Sequence, residues 1–203
     1  MLRRETVEQD TLELLIQLQS EDFLDDFVLV GGTALSLQIG HRKSIDLDFF
    51  TVSDFNSNEL LDSLAPKYNL TVRHQTAQTL IGMIEGVKID FIRFRYPFIR
   101  PLINLEGIRM LSVEDIAPMK LDAIVGRGKK KDFYDLFFLL QQYSLKELLA
   151  FYTEKYKHQS DFHVLRSLAY FEDAEPDPDP LVFDAKLSWD LVKNAIIKAI
   201  EDF

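Results

Sequence analysis

Asp46 and Asp48 stand one residue apart in the stretch SIDLDFF (44–50), in otherwise apolar surroundings. On an extended chain, residues two apart leave the same face, with Cα atoms roughly 6.6 Å from one another. Two carboxylates held this way raise each other's pKa unless positive charge lies between them. Magnesium can supply that charge through oxygen ligands at ~2.0–2.1 Å while keeping part of its water. Asp90, in KIDFI, has the same setting, with Ile89 and Phe91 facing the opposite way on a strand. If that strand lies beside residues 45–50, three carboxylates meet. Such a group can hold two ions ~3.5–4 Å apart, one activating a hydroxyl and one clamping a triphosphate.

A phosphate-binding element precedes the carboxylates. Gly31-Gly32 closes the apolar run FVLV (27–30), and the stretch from Thr33 to Gly40 has helical character. Glycines at a strand end permit close backbone approach to a ligand, and the helix start presents free N–H groups with a positive dipole end. The Thr33 hydroxyl can add a donor. His41, Arg42, Lys43 and Ser44 then lead into the carboxylate segment, bringing cationic donors toward the same mouth. Gly-Gly alone describes many turns, and Asp-x-Asp alone describes many solvated strand faces. Their ordered conjunction with a distant apolar-Asp-apolar triplet is far more specific.

The elements that must position these residues are legible from periodicity. Residues 4–19 read as a helix with Val7, Leu12, Leu15 and Ile16 inward, and 27–30 as a buried strand. A short helix ends at Gly40 in a left-handed conformation. Residues 45–50 alternate, with Ile45, Leu47 and Phe49 on one face. A helix over 58–67 uses Leu60, Leu61 and Leu64. Strands are expected at 69–74, 79–85 and 87–94, the last two antiparallel about Glu85-Gly86. Residues 96–107 read as a crossing segment. Beyond them the pattern turns helical, with capping-box starts at Ser112–Asp115 and Ser144–Glu147 and later helices at 161–172 and 189–202. The acidic, proline-stiffened loop AEPDPDP (174–180) separates the last two. The expected fold is α+β: a mixed sheet with flanking helices over 1–106, then a helical region over 107–203.

Composition narrows the function classes. The 203 residues include 33 Asp and Glu against 23 Lys and Arg, a net charge of -10, which disfavours wholesale coating of nucleic acid. The basic run RGKKKD (127–132) either touches an RNA acceptor or triphosphate or forms a solvated loop. There is no cysteine, hence no disulfide or thiolate metal site. No apolar run reaches membrane-span length and the first residues lack a signal core, so the expected location is the cytoplasm. His41, His74, His158 and His163 are too scattered for a zinc site. Phe133, Phe137 and Phe138 read as core, and Trp189 as packing for the last helix.

From GGTALSLQIGHRKSIDLDFF through VKIDFIRF to LSVEDIAPMKLDAIVGRGKKKDFYDLFFLL, roughly residues 28–140, the chain resembles the AbiEii/AbiGii-type toxins. That family lies within the nucleotidyltransferase superfold shared with DNA polymerase beta. The resemblance implies that Gly31, Gly32 and Thr33 bind a nucleoside triphosphate, with Arg42 and Ser44 near it. It implies that Asp46 and Asp48 hold Mg2+ with Asp90 as the third carboxylate; deprotonating a hydroxyl near neutral pH needs a carboxylate or a metal close by, which makes Asp90 the candidate base or metal-assisted activator. The family's later motifs fall on Asp115 and Lys120, and on Asp132 with Asp135 beside it. Lys120 would serve the triphosphate and Asp132 the nucleotide site. Around a helix, Asp115 and Lys120 are about 140° apart and do not pair, whereas Asp132 and Asp135 share a face, Asp132 also suiting a helix start. The activity implied is transfer of a nucleoside monophosphate from an NTP to a hydroxyl, in some members a tRNA acceptor end, by a toxin with a cognate antitoxin. Two alternatives are a nucleotide-binding module acting through a protein partner and a small-molecule transferase, whose acidic cleft would suit a cationic aminoglycoside-like acceptor.

Overall fold

The computed structural model describes residues 1–157 and 161–203; His158 lies outside the described residues. The chain forms two compact units. The first comprises Met1–Gly40, Ser44–Pro97 and Pro101–Leu111, and the second His41–Lys43, Phe98–Arg100 and Ser112–Phe203. The fold is α+β, a mixed sheet with helices followed by a helical C-terminal region.

The first unit contains α1 (Gln9–Gln19), β1 (Val28–Val30), α2 (Gly31–Ile39), β2 (Leu47–Thr51), α3 (Ser57–Leu64), β3 (Leu70–Thr76), β4 (Thr79–Ile84), β5 (Val87–Arg93), β6 (Ile103–Leu105) and β7 (Ile108–Met110). The strands join in the order β3-β4-β5-β2-β1-β7-β6. β2 runs parallel to β5 and β1 parallel to β7, while the remaining pairs are antiparallel. Leu47, Phe49, Ile89 and Phe91 are buried, and the Phe49 and Phe91 rings stack at 5.3 Å. Phe27 meets Phe91 edge-on, and Leu60 and Leu64 of α3 are buried as well. Thus one face of β2 and β5 supplies core, and their alternate residues turn away from it.

Several local expectations are corrected here. Ile45 precedes β2 and is exposed, and Ile16 also faces outward, its inward place on α1 taken by Leu14 and Leu18. α3 stops at Leu64, leaving Leu61 half-buried. The segment 96–107 does more than cross: β6 pairs with β7 about Glu106-Gly107. Both turn residues have positive φ, 54° and 88°, as do Glu85 and Gly86 between β4 and β5, at 51° and 83°. Two consecutive positive φ values are what a tight hairpin needs to match strand twist. Gly40 ends α2 at φ 72°, in the left-handed conformation expected.

The second unit contains α4 (Val113–Gly126), α5 (Lys130–Leu139), α6 (Leu145–Lys155), α7 (Asp161–Leu168) and α8 (Trp189–Glu201). α7 ends earlier than expected, and a short 3-10 turn follows at Glu172–Ala174. Ser144 and Glu147 form a reciprocal capping box at α6. Ser112 caps α4 by accepting from the Asp115 N–H, but the Asp115 carboxylate takes a different role. It is fully buried and accepts from the N–H groups of Ile99 and Arg100, at 2.9 and 2.8 Å, and from Lys155 Nζ at 2.7 Å. Trp189, at the start of α8, stacks on Tyr134 and meets Phe133 and Phe171 edge-on. Asp177 of the acidic loop accepts from Lys129 Nζ and the Lys130 N–H, and Lys130 Nζ pairs with Asp179. The basic run is therefore tied to the chain's own acidic loop.

Removing one partner of a buried ion pair leaves the other charged and desolvated. Lys155→Met should lower unfolding free energy by about 3–5 kcal/mol in chemical denaturation. The double variant Asp115→Asn/Lys155→Met should lose less than the sum of the single variants.

Candidate active site

Asp48 lies within β2 and pairs in parallel register with Asp90 of β5. Since Leu47, Phe49, Ile89 and Phe91 turn into the core, both carboxylates emerge on the other face. Asp46 immediately precedes β2 and is half-buried. Asp90 is 8% exposed; its Oδ2 accepts from Lys88 Nζ at 2.6 Å, and its buried Oδ1 has no hydrogen-bond partner among the described residues. Burial lowers the Lys88 pKa, but its hydrogen bond to Asp90 and the charges of Asp90, Asp48 and Asp46 together raise it above the ordinary lysine value. An ammonium thus supplies the positive charge that closely set carboxylates require. Lys88 was missed from the sequence, although its place two residues before Asp90 puts both on one strand face.

The glycine pair meets this cluster. Gly31 opens α2 at φ 70°, and a Cβ there would collide with the Asp48 carboxylate. No side chain of the N-cap residue Val30 closes the helix start. Gly32 lies in the first turn, where N–H groups point out of a helix. Thr33 behaves differently from expectation. It is 1% exposed, donates through its hydroxyl to the Asp46 carbonyl and lies 2.8 Å from Ser44 Oγ. Thr33 and Ser44 therefore fix the backbone leading to Asp46, and their hydroxyls bond to protein groups.

The other candidates form a buried charge cluster in the second unit. Arg42 donates to Asp135 from Nε at 2.6 Å and from Nη2 at 3.0 Å, while Lys120 Nζ lies 2.6 Å from Asp135 and 3.3 Å from Asp132. Arg127 donates twice to Asp132, at 2.9 Å each. His41 Nε2 is 2.7 Å from Asp135 Oδ1. Lys120 is 3% exposed, so it is no surface lysine, and Arg42 is engaged with Asp135 instead of standing as an open cationic donor. Asp135, subordinate to Asp132 in the sequence reading, is the hub. Burial alone would raise its pKa, but Arg42 and Lys120, with hydrogen bonds from His41 and Arg42, hold it well below the carboxylate range. Burial pushes the His41 pKa down against the opposing pull of Asp135.

Among the described residues no group of three or more carboxylate, imidazole or thiol side chains is arranged to hold a metal ion. At Asp90, Lys88 takes one oxygen. The second oxygen is buried without a partner, and Asp48 lies directly across, so the donor set is all hard oxygen, the chemistry that suits magnesium.

The family described as "Nucleotidyl transferase AbiEii toxin, Type IV TA system" matches residues 13–202. An uncharacterized protein of Aquifex aeolicus (strain VF5) is 34% identical over 203 residues, covering 97% of each chain. Among solved structures, MenT4, a nucleotidyltransferase toxin of Mycobacterium tuberculosis H37Rv, superposes with a TM-score of 0.63 at 15% identity, over 95% of this chain and 82% of that one. JHP933 from Helicobacter pylori gives 0.60 at 20% identity, over 96% and 92%. At these identities the structural likeness shows the fold.

The charge cluster makes stability pH-dependent. His41, depressed in the folded state, contributes stability above its unfolded pKa of ~6.5 and loses it as pH falls below that value. Asp135, also depressed, contributes above ~3.9 and loses its share as pH falls through its folded pKa. Urea midpoints should begin to fall near pH 6.5 and fall again below about pH 4. His41→Gln should flatten the first decline and Asp135→Asn the second. Gly31→Ala should cost about 1–3 kcal/mol by the same measurement, through its backbone strain and the collision with Asp48.

Proposed function

The chain belongs to the AbiEii nucleotidyltransferase toxin family, and from that premise we propose that it transfers a nucleoside monophosphate from an NTP to the terminal hydroxyl of an RNA, tRNA being the acceptor favoured. The observation that carries this reading is the side-by-side placement of Asp48 and Asp90, with the Gly31 backbone crowded against Asp48. Asp46, Asp48 and Asp90 are the groups that would hold the divalent ions. Magnesium, when bound, supplies charge neutralisation for the triphosphate and acidifies a nearby hydroxyl.

The chain's own residues do the rest. Backbone N–H groups at the Gly31-Gly32 end of α2 receive phosphate oxygens, and the left-handed Gly31 lets the ligand approach without a Cβ in the way. Asp90, beside Asp48 on the neighbouring strand, accepts the proton of the acceptor hydroxyl. The acceptor oxygen then attacks the α-phosphorus, the bond to the bridging oxygen breaks, and pyrophosphate leaves. Arg42, Lys120, Asp132 and Asp135 act in this reading by fixing the second unit through their mutual ion pairs.

A net charge of -10 argues for an acceptor held at one end over extended contact with an RNA backbone. The family's toxin role implies a cognate antitoxin that restrains the activity in the cell. The reading places the protein in the cytoplasm, where its nucleotide and RNA substrates are; among the described residues no helix is long and apolar enough to cross a membrane.

The test incubates purified protein with each labelled NTP, magnesium and total bacterial RNA. Label is expected in tRNA-sized RNA for one preferred base. Asp48→Asn should reduce transfer at least ~10²-fold, because losing a metal-holding carboxylate removes several kcal/mol of transition-state stabilisation. Its circular dichroism should match that of the parent. Full activity in Asp48→Asn would overturn the mechanism, and label confined to protein or small molecules would overturn the acceptor.

A further inference from the structure

We propose that Lys88 is a built-in counter-ion that occupies the carboxylate cluster and must be displaced from Asp90 by an incoming divalent cation. The inference rests on the reading of Asp46, Asp48 and Asp90 as metal-holding groups, and it assigns a competing role to a residue outside them.

The geometry makes the lysine the movable partner. Lys88 and Asp90 are two residues apart on β5 and so share a face, and Lys88 Nζ lies 2.6 Å from Asp90 Oδ2. The Lys88 side chain is 43% exposed and that of Asp90 only 12%. A lysine with that much solvent access can rotate away without unpacking the core; a carboxylate fixed on a central strand cannot follow it. Asp48 occupies the position directly across from Asp90 on the neighbouring strand. Like charges opposite one another destabilise a sheet, and an ammonium beside them relieves the repulsion.

The two cations differ in what they offer. An ammonium carries one charge and three donors, whereas a divalent ion carries two charges and gathers six or more oxygens. Exchange toward the ion is therefore favourable once the ion is present, but its apparent affinity is reduced by the ammonium it must expel. The lysine keeps the metal-free cluster folded while discouraging loading by an ion alone.

The experiment titrates Mn2+ into nucleotide-free protein by calorimetry, comparing the parent with Lys88→Met, Lys88→Gln and Asp48→Asn, and records the melting temperature of each in EDTA and in excess Mn2+. Both Lys88 variants should bind Mn2+ about tenfold more tightly than the parent, a factor equivalent to 1.4 kcal/mol. They should melt lower than the parent in EDTA and gain more from Mn2+. Lys88→Gln retains hydrogen-bonding capacity without the charge, so it reports if Lys88→Met folds poorly. Unchanged or weaker Mn2+ binding in the folded Lys88 variants, with Asp48→Asn losing it, would overturn the Lys88 role and leave the metal reading standing. Mn2+ binding by Asp48→Asn equal to the parent's would overturn both.

Discussion

Like charges resist being set side by side, and in the first unit Asp48 and Asp90 stand on adjacent parallel strands in matched register. The arrangement exists because the opposite face of the same strands is committed to core. Leu47, Phe49, Ile89 and Phe91 are each almost wholly buried, and strand alternation then turns the intervening residues outward. Burial of about four large side chains, each worth roughly 1.5–3 kcal/mol, outweighs the repulsion between two partly solvated carboxylates with an ammonium beside them. The hydrophobic effect thus holds the acids together, and Lys88 makes that tolerable.

The second unit handles charge differently. Asp115, Asp132 and Asp135 are fully buried, and the structure surrounds them with donors: Lys155 and two backbone N–H groups at Asp115, Arg42, Lys120 and His41 at Asp135, Lys120 and Arg127 at Asp132. Such clusters contribute little net stability compared with apolar packing, but any one member is costly to remove. Their geometry is specific, and that specificity suits elements that must hold a fixed position. In the first unit Asp46 and Asp48 are half-buried and Asp90 keeps one oxygen on a partly exposed lysine, whereas the second unit encloses its three acids fully.

Much of the first unit was legible because its signals are local. Val28–Val30 ends at a glycine pair, Asp-x-Asp alternates with buried residues, and Glu85-Gly86 separates two apolar runs. The β6–β7 hairpin was not read, since three-residue strands are too short to display alternation, yet its Glu106-Gly107 turn repeats the dipeptide that had marked β4–β5. The protein contacts of Arg42, Thr33 and Lys120 were not legible for another reason. Each has the chemistry to grip a phosphate, and residue type does not say whether a buried partner has already engaged it; Asp135, 93 residues after Arg42, had. Asp115 likewise looked like a capping-box residue, because its contacts with Ile99, Arg100 and Lys155 are all distant in sequence.

The two-residue turn at Glu85-Gly86 carries a constraint of its own. It pairs Ile84 with Val87 and so sets the phase of every later residue on β5 against β4. An extra residue accommodated there by shifting β5 one step would bring Phe91 out to solvent and drive Asp90 into the core. A longer loop that kept the register would leave the cluster intact, whereas a one-step shift would remove a carboxylate from it without mutating it. The length of that turn and the place of Asp90 in the cluster are therefore one constraint, since the register that the turn sets decides which face the carboxylate leaves by.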